Sequence, residues 1–467
     1  MALVDVPFPT GSMPGRRVGE GQGSLVNVYC EIDGNVPSYR TVPGLLQFAN
    51  TTVGGPRGMF VYQNRLFAAQ RDICVAVSSA GIATIIGGAL PGSKPVTWAQ
   101  NNRAPSPDLV CVTDVGAFII TSNAVAPYPS PNLPSPLDVT QMDGYFLFAI
   151  SDGRVFASGL NDTAIDALSF TTCQANPDGL MRGVVKGSYY FAFGSDSCEV
   201  FSDAGTTPFP LARTTVVPVG LIGPWALTGF QSGWNGALFF IASDGTVCRM
   251  DGLSPAVIST KDVERDIAAV SDKTTITASV HVASGNPFVT FSSETWTWEY
   301  NTRTQAWHQR KSYQKSRWRG QHSAKFGGKW IVGDVTSANL HEVTEAAYTE
   351  SGAPLDWDRE SGPIKQFPAR IQVTAAYFDF TRGAAPESGA TEAVDPQVSI
   401  SWSHDGGGVW SNPLVRSLGE TGKFAGRITV RRLGLTTDHG IRFRLSTSAP
   451  VYLTFRGGRA EAAQRAA

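Results

Sequence analysis

The sequence predicts an all-β protein. A β-propeller of six or seven blades spans residues 56–350, with an irregular N-terminal arm before it and a C-terminal β-sandwich-like domain after it. Three observations carry that reading. A two-strand unit recurs: Tyr145–Ile150, the turn Ser151-Asp152-Gly153 and Arg154–Ser158, and again Ala237–Ala242, Ser243-Asp244-Gly245 and Thr246–Met250. Asp-Gly supplies the positive φ that a tight hairpin needs. Similar turns fall near Asp72, Asp114, Asp152, Asp196, Asp244, Ser293 and Asp334, at intervals of 38 to 49 residues, close to one four-stranded blade. The composition agrees: 49 Gly and 29 Pro mark many turns, and charged residues reach only 16 %, against roughly 25 % in ordinary soluble domains.

Residues 1–55 read as an arm broken by Gly and Pro, with one strand-like stretch at Leu25–Tyr29. The blade strands that follow are rich in Phe, Val, Ile, Tyr and Trp, which fit a pleated, half-buried surface. The best helix candidate is Asp262–Val270, about two turns. Residues 351–366, with Ser351-Gly352-Ala353-Pro354 and Ser361-Gly362-Pro363, read as a linker. Residues 367–458 hold strands at Ala369–Phe378, Gln397–Trp402, Gly426–Arg432, Ile441–Leu445 and Val451–Phe455. Several alternate polar and apolar residues, the pattern of antiparallel strands with one wet face. The insert Arg382–Ala390 reads as a mobile loop, and the tail 459–467 as disorder or helix.

The formal charge of −1 gives no global pull toward nucleic acid or acidic membranes. No apolar run approaches the roughly 18 residues of a membrane span, and the N-terminus lacks the pattern of a signal peptide. The six cysteines, Cys30, Cys74, Cys111, Cys173, Cys198 and Cys248, are scattered without a C-x-x-C pair, so buried thiols are expected rather than a zinc site or a disulfide framework. The six histidines are not at metal-ligand spacing, and neither a G-x-S-x-G elbow nor a P-loop occurs. No enzymatic site and no cofactor are expected.

Two local features stand out. Ser403, Asp405, Gly407 and Trp410 have the form S-x-D-x-G-x-x-W, similar to the Asp-box of sialidases and related propellers. There the Asp caps its own turn and the Trp packs beneath it, so the expected role is structural. Between Glu299 and Asp334 the chain has eight cations and no anion, among them Arg310, Lys311, Lys315, Arg317 and Arg319, with Trp307, Tyr313, Trp318 and Trp330 interleaved. That stretch is a candidate DNA-channel or interface contact. Its alternative is a solvated blade edge, where cations discourage strand pairing.

Four segments carry a family resemblance: Leu25–Glu31 with Arg40–Leu45; Asn176–Leu180 through Tyr189–Ser195 to Glu199–Ser202; Thr297–Asn301 with Trp318-Arg319-Gly320; and Ile400–Gly407, Gly426–Gly434 and Ile441–Leu453. In order and over nearly the full length, the chain resembles the packaged-DNA stabilisation, or tail nozzle, proteins of short-tailed bacteriophages. The resemblance implies a structural virion protein, assembled in the host cytoplasm. It implies a homo-hexamer below the portal and adaptor rings that closes the DNA exit channel and retains packaged DNA. Tail fibres or tailspikes, and a tail needle where present, would attach to it, and double-stranded DNA would pass through without sequence-specific contact. The competing reading is a glycan-binding or glycan-hydrolysing propeller of sialidase-like type, suggested by the Asp405 turn and the 11 tryptophans.

Overall fold

In the computed structural model, which describes residues 2–34, 36–383, 385–386 and 391–465, seven four-stranded antiparallel blades follow one another. Their innermost strands are Pro56–Tyr62, Thr97–Gln100, Asp138–Met142, Arg182–Lys186, Leu227–Thr228, Thr277–Ala283 and Gly320–Phe326, in blades 1 to 7. The seven turns read from the sequence join the second and third strand of each blade. At two of them the aspartate caps its own turn: Asp152 Oδ1 accepts from the Arg154 amide at 3.1 Å, and Asp244 Oδ1 from the Thr246 amide at 2.9 Å. The glycine that follows each aspartate has φ near +90°, at 92° and 85°. Apolar side chains alternate between successive blades. Phe146 and Phe148 fill the seam of blades 2 and 3, and Phe193, Val200 and Phe240 that of blades 4 and 5.

The arm is not irregular. Gly44–Asn50 is the outermost strand of blade 7, paired antiparallel with Asn339–Thr344, so a strand from the start of the chain closes the ring. Val28–Asp33 and Val36–Thr41 form a hairpin in the C-terminal domain, and Ala2–Asp5 lies along the last strand of the chain. The reason is hydrogen bonding: blade 7 lacks a fourth strand until Gly44–Asn50 satisfies its edge.

The linker is also a strand. Trp357–Glu360 pairs with Ser24–Val26 on one side and Arg442–Thr447 on the other, while Ser24–Val26 runs parallel to Ala306–Gln309 of blade 6. One nine-stranded sheet therefore runs from blade 6 into the C-terminal domain. That domain is a sandwich. The far end of this sheet packs against a second sheet built on Arg370–Phe380, Ile428–Leu435 and Thr454–Arg465, around Trp357, Phe378, Phe443 and Phe455. The tail is strand as far as Arg465, because its backbone pairs with both Ala2–Asp5 and Arg370–Phe380. Residues 466–467 and much of the insert 382–390 lie outside the described residues. The predicted helix spans Lys261–Ala269, and all six thiols are unpaired, five of them buried. Among the described residues no helix is long and apolar enough to cross a membrane.

Candidate interface and channel residues

The strand Ala306–Gln309 ends where three parts of the chain meet, and the next residue, Arg310, turns inward. Its Nη1 donates to Glu299 Oε2 at 3.1 Å, and its Nη2 to the Pro43 carbonyl at 2.6 Å. Its guanidinium lies 3.9 Å from the centre of the Trp318 ring. His308 Nε2 sits 2.9 Å from Glu299 Oε1, and His281 Nε2 sits 3.6 Å from Oε2. The side chains of Arg310, Glu299, Trp318, His308 and His281 are all buried. Burial alone pushes the Glu299 carboxyl up, but Arg310 and His281 outweigh it and hold the carboxyl well below its ordinary range. Burial, with the nearby Arg310 charge, pushes His281 down to about 4.

This corrects the reading of the basic stretch. Arg310 is fully buried within the chain, its guanidinium taken up by Glu299 and Pro43 rather than presented at the surface. Arg319 donates from Nε to Asp334 Oδ2 at 3.1 Å, and His341 Nε2 lies 3.1 Å from the same oxygen. Burial raises Asp334, yet hydrogen bonds from His341, Arg319 and Ser337 hold it well below the carboxylate range. Arg317 donates to the Trp318 carbonyl at 3.0 Å and to Gln321 Oε1 at 3.1 Å, and burial pushes its guanidinium down to about 10. Lys311 is clamped by its backbone: its amide donates to Asn27 Oδ1 and its carbonyl accepts from Asn27 Nδ2, both at 2.9 Å. Lys315 alone of the five is exposed. Sequence reading missed the partners because Glu299 and Asp334 lie just outside the run and Pro43 and Asn27 lie far from it.

The Asp405 turn is built as expected of a cap. Ser403 Oγ donates to Asp405 Oδ1 at 2.6 Å and accepts from the Gly407 amide at 2.8 Å. Asp405 Oδ1 accepts from the amides of Gly408 at 2.9 Å and Val409 at 3.0 Å. These bonds pull the Asp405 carboxyl below its ordinary value, the Ser403 hydroxyl first among them. Trp410 is half-buried and stacks against Arg444 at 4.2 Å, a strand neighbour that the motif did not reveal.

On the propeller axis the inner strands enclose a cavity of about 420 Å³, lined by Trp98, Gln141, Arg182, Trp225 and His322 among others. Arg182, ion-paired to Asp138 at 3.1 Å and lying 4.9 Å from the Trp225 ring, fills its wall. Such a space cannot pass a duplex whose major groove alone is roughly 12 Å wide.

A model of the phage-stabilisation family, described as bacteriophage P22 Gp10, beta-propeller, matches residues 25–348, and a second, described as bacteriophage P22 Gp10, beta-sandwich, matches residues 368–462. The chain belongs to the bacteriophage P22 Gp10 family. In this Gp10-family member the first match begins at Leu25, so it includes the strand that closes blade 7. The family is one of phage tail and DNA-stabilisation proteins. Among solved structures, the WD40 beta propeller domain of Doa1 is 10 % identical over 64 % of this chain and 96 % of that chain, with a TM-score of 0.41. The computationally designed Ika8 protein is 9 % identical over 72 % and 99 %, with a TM-score of 0.37. No curated protein matches the chain.

Proposed function

We propose that this chain is the nozzle subunit of a short phage tail. Six copies form a ring below the portal and adaptor rings, close the DNA exit channel, retain packaged DNA, and carry the tail fibres or spikes. The observation that supports this best is the pair of Gp10 matches, which cover the propeller and the sandwich in order. The geometry is compatible with it in two ways. The nine-stranded sheet ties the two domains into one stiff body with broad outer faces, which suits a heterologous ring. The axial cavity is too small for a duplex, so a channel for DNA has to lie between copies rather than through a propeller.

Imaging of particles containing this chain tests the reading. The expected result is a sixfold ring around the channel below the adaptor, and loss of packaged DNA from particles that lack the chain. Particles that keep their DNA without it, or density for it elsewhere in the virion, would overturn the proposal.

A further inference from the structure

The charge of this chain is unevenly placed, although its total is close to zero. Across residues 138–203, in blades 3 and 4, six aspartates are exposed and no lysine or arginine is. Over residues 365–459, in the sandwich, nine lysines and arginines are exposed against three carboxylates among the described residues. The sheet order sets these surfaces apart. The sandwich grows from blade 6 and touches blade 7, and blade 3 stands three blades from each, on the opposite side of the ring.

Each surface has a distinct centre. In blade 3 the loop from Ser158 to Ser169 raises two apolar side chains, Leu160 at 58 % and Leu168 at 68 % exposure, with Asp162 and Asp166 between them. Both aspartates engage only amides of their own loop, those of Thr163 and Leu168, at 2.7 and 2.8 Å, and no cation reaches them among the described residues. In the sandwich a groove of about 850 Å³ is lined by Phe8, Tyr39, Phe378, Phe380 and four arginines. Of these, Arg456 and Arg459 are paired with the lining carboxylates Asp379 and Asp5, and Glu461 is held by Tyr377, while Arg382 and Arg427 remain. Arg427 stacks at 5.3 Å on Tyr377 and has no carboxylate partner among the described residues. Arg382 Nε is buried without a hydrogen-bond partner. Behind the lining rings, Arg359 is fully buried against Phe8 and Tyr39. Phe424, 73 % exposed, packs beside the groove over Gly383.

We infer that the blade 3 loop of one copy seats in the sandwich groove of the next, with Asp162 and Asp166 facing Arg382 and Arg427 and the two leucines meeting the exposed Leu3 and Phe424. The two halves of the contact are different surfaces on opposite sides of one subunit, so the contact is head-to-tail and continues from copy to copy. Cations without a carboxylate partner among the described residues of one copy meet carboxylates without a cation among those of the next, which fixes register and rejects loop-to-loop or groove-to-groove pairing. A nucleic-acid strand is a poorer occupant, because Tyr39, Phe378 and Phe380 are buried and present no face on which bases could stack. The inference rests on the ring reading above and adds which faces meet.

Two proteins test it, Leu168→Cys and Phe424→Cys, each with the one thiol that is not buried removed as Cys173→Ser, mixed under mild oxidation. The expected result is a disulfide dimer in the mixture that neither protein gives alone, with yield falling as salt rises. Placing Asp162→Arg and Asp166→Arg in the first protein should lower the yield by roughly tenfold, the scale of losing one close interface charge pair. Adding Arg382→Glu and Arg427→Glu to the second should restore it. Circular dichroism of each variant checks that these surface changes leave the fold intact. Absence of the mixed dimer from folded proteins, or failure of the paired reversals to restore it, overturns the inference. The protein carrying both cysteines separates this contact from the ring. Closed six-copy species support both, and an open ladder keeps the contact but overturns the ring. A wild-type ring whose faces give no mixed dimer keeps the ring and overturns this contact.

Discussion

Glu299 and Arg310 meet at 3.1 Å with neither side chain exposed to solvent, and the bond ties the third strand of blade 6 to the point where the N-terminal strands and the sandwich converge. Arg310 also holds the Pro43 carbonyl just before the closing strand of the propeller, so one guanidinium joins two distant parts of the chain. Removing one partner of such a pair strands a buried charge. Arg310→Ala should cost about 3–5 kcal/mol in chemical denaturation, whereas Lys315→Ala should change stability by less than about 0.5 kcal/mol. Equal effects from the two variants would contradict the burial reported for Arg310.

Acid should weaken the same junction, and the sign follows from two groups. His281 titrates at about 4 in the folded protein, below the ordinary histidine value, so the unfolded chain binds the proton more readily. Its contribution is fully present above about pH 6.5 and is lost as pH falls toward 4. Glu299 is held well below its ordinary value, so its contribution fades further as pH falls below about 4.5. The unfolding midpoint should therefore drop between pH 6.5 and 4, and His281→Gln should flatten that part of the profile. An unchanged profile in the variant would place the titration elsewhere.

Ring closure should depend on the first fifty residues. Leu45 is buried in the closing strand, packed with Trp318, Val332 and Val343. Leu45→Ala should cost about 2–5 kcal/mol, the usual cost of truncating a buried leucine. Deleting residues 1–50 leaves three strands in blade 7, and should give a protein that aggregates or is cleaved rapidly between residues 320 and 350 in limited proteolysis. A soluble, protease-resistant deletion would show that the strand is dispensable.

The Asp405 turn should behave as a cap. Asp405→Ala removes the acceptor for two amides and should lower stability by about 1 kcal/mol or more, and Asp405→Asn should recover part of the loss. The readout is the unfolding midpoint of the whole chain. Glycoside turnover that vanished in Asp405→Ala while the fold remained would reverse the structural reading.

What the sequence determined by itself was local. Asp152-Gly153 and Asp244-Gly245 dictate their hairpins because the carboxylate and the positive φ act within four residues, and the spacing of the turns gives six or seven blades, of which the structure has seven. The Ser403–Trp410 turn was legible for the same reason. Only the tertiary structure decided which strand completes blade 7, that Trp357–Glu360 bridges two domains, and that Arg310 faces inward. Those outcomes rest on hydrogen-bond edges and charges that find partners hundreds of residues away, as Arg310 does at Pro43 and Asn27 at Lys311. A run of cations looks the same in sequence whether solvent or a distant carbonyl receives it. The energetic cost of an unpaired backbone edge or buried charge is settled only when the whole chain is folded.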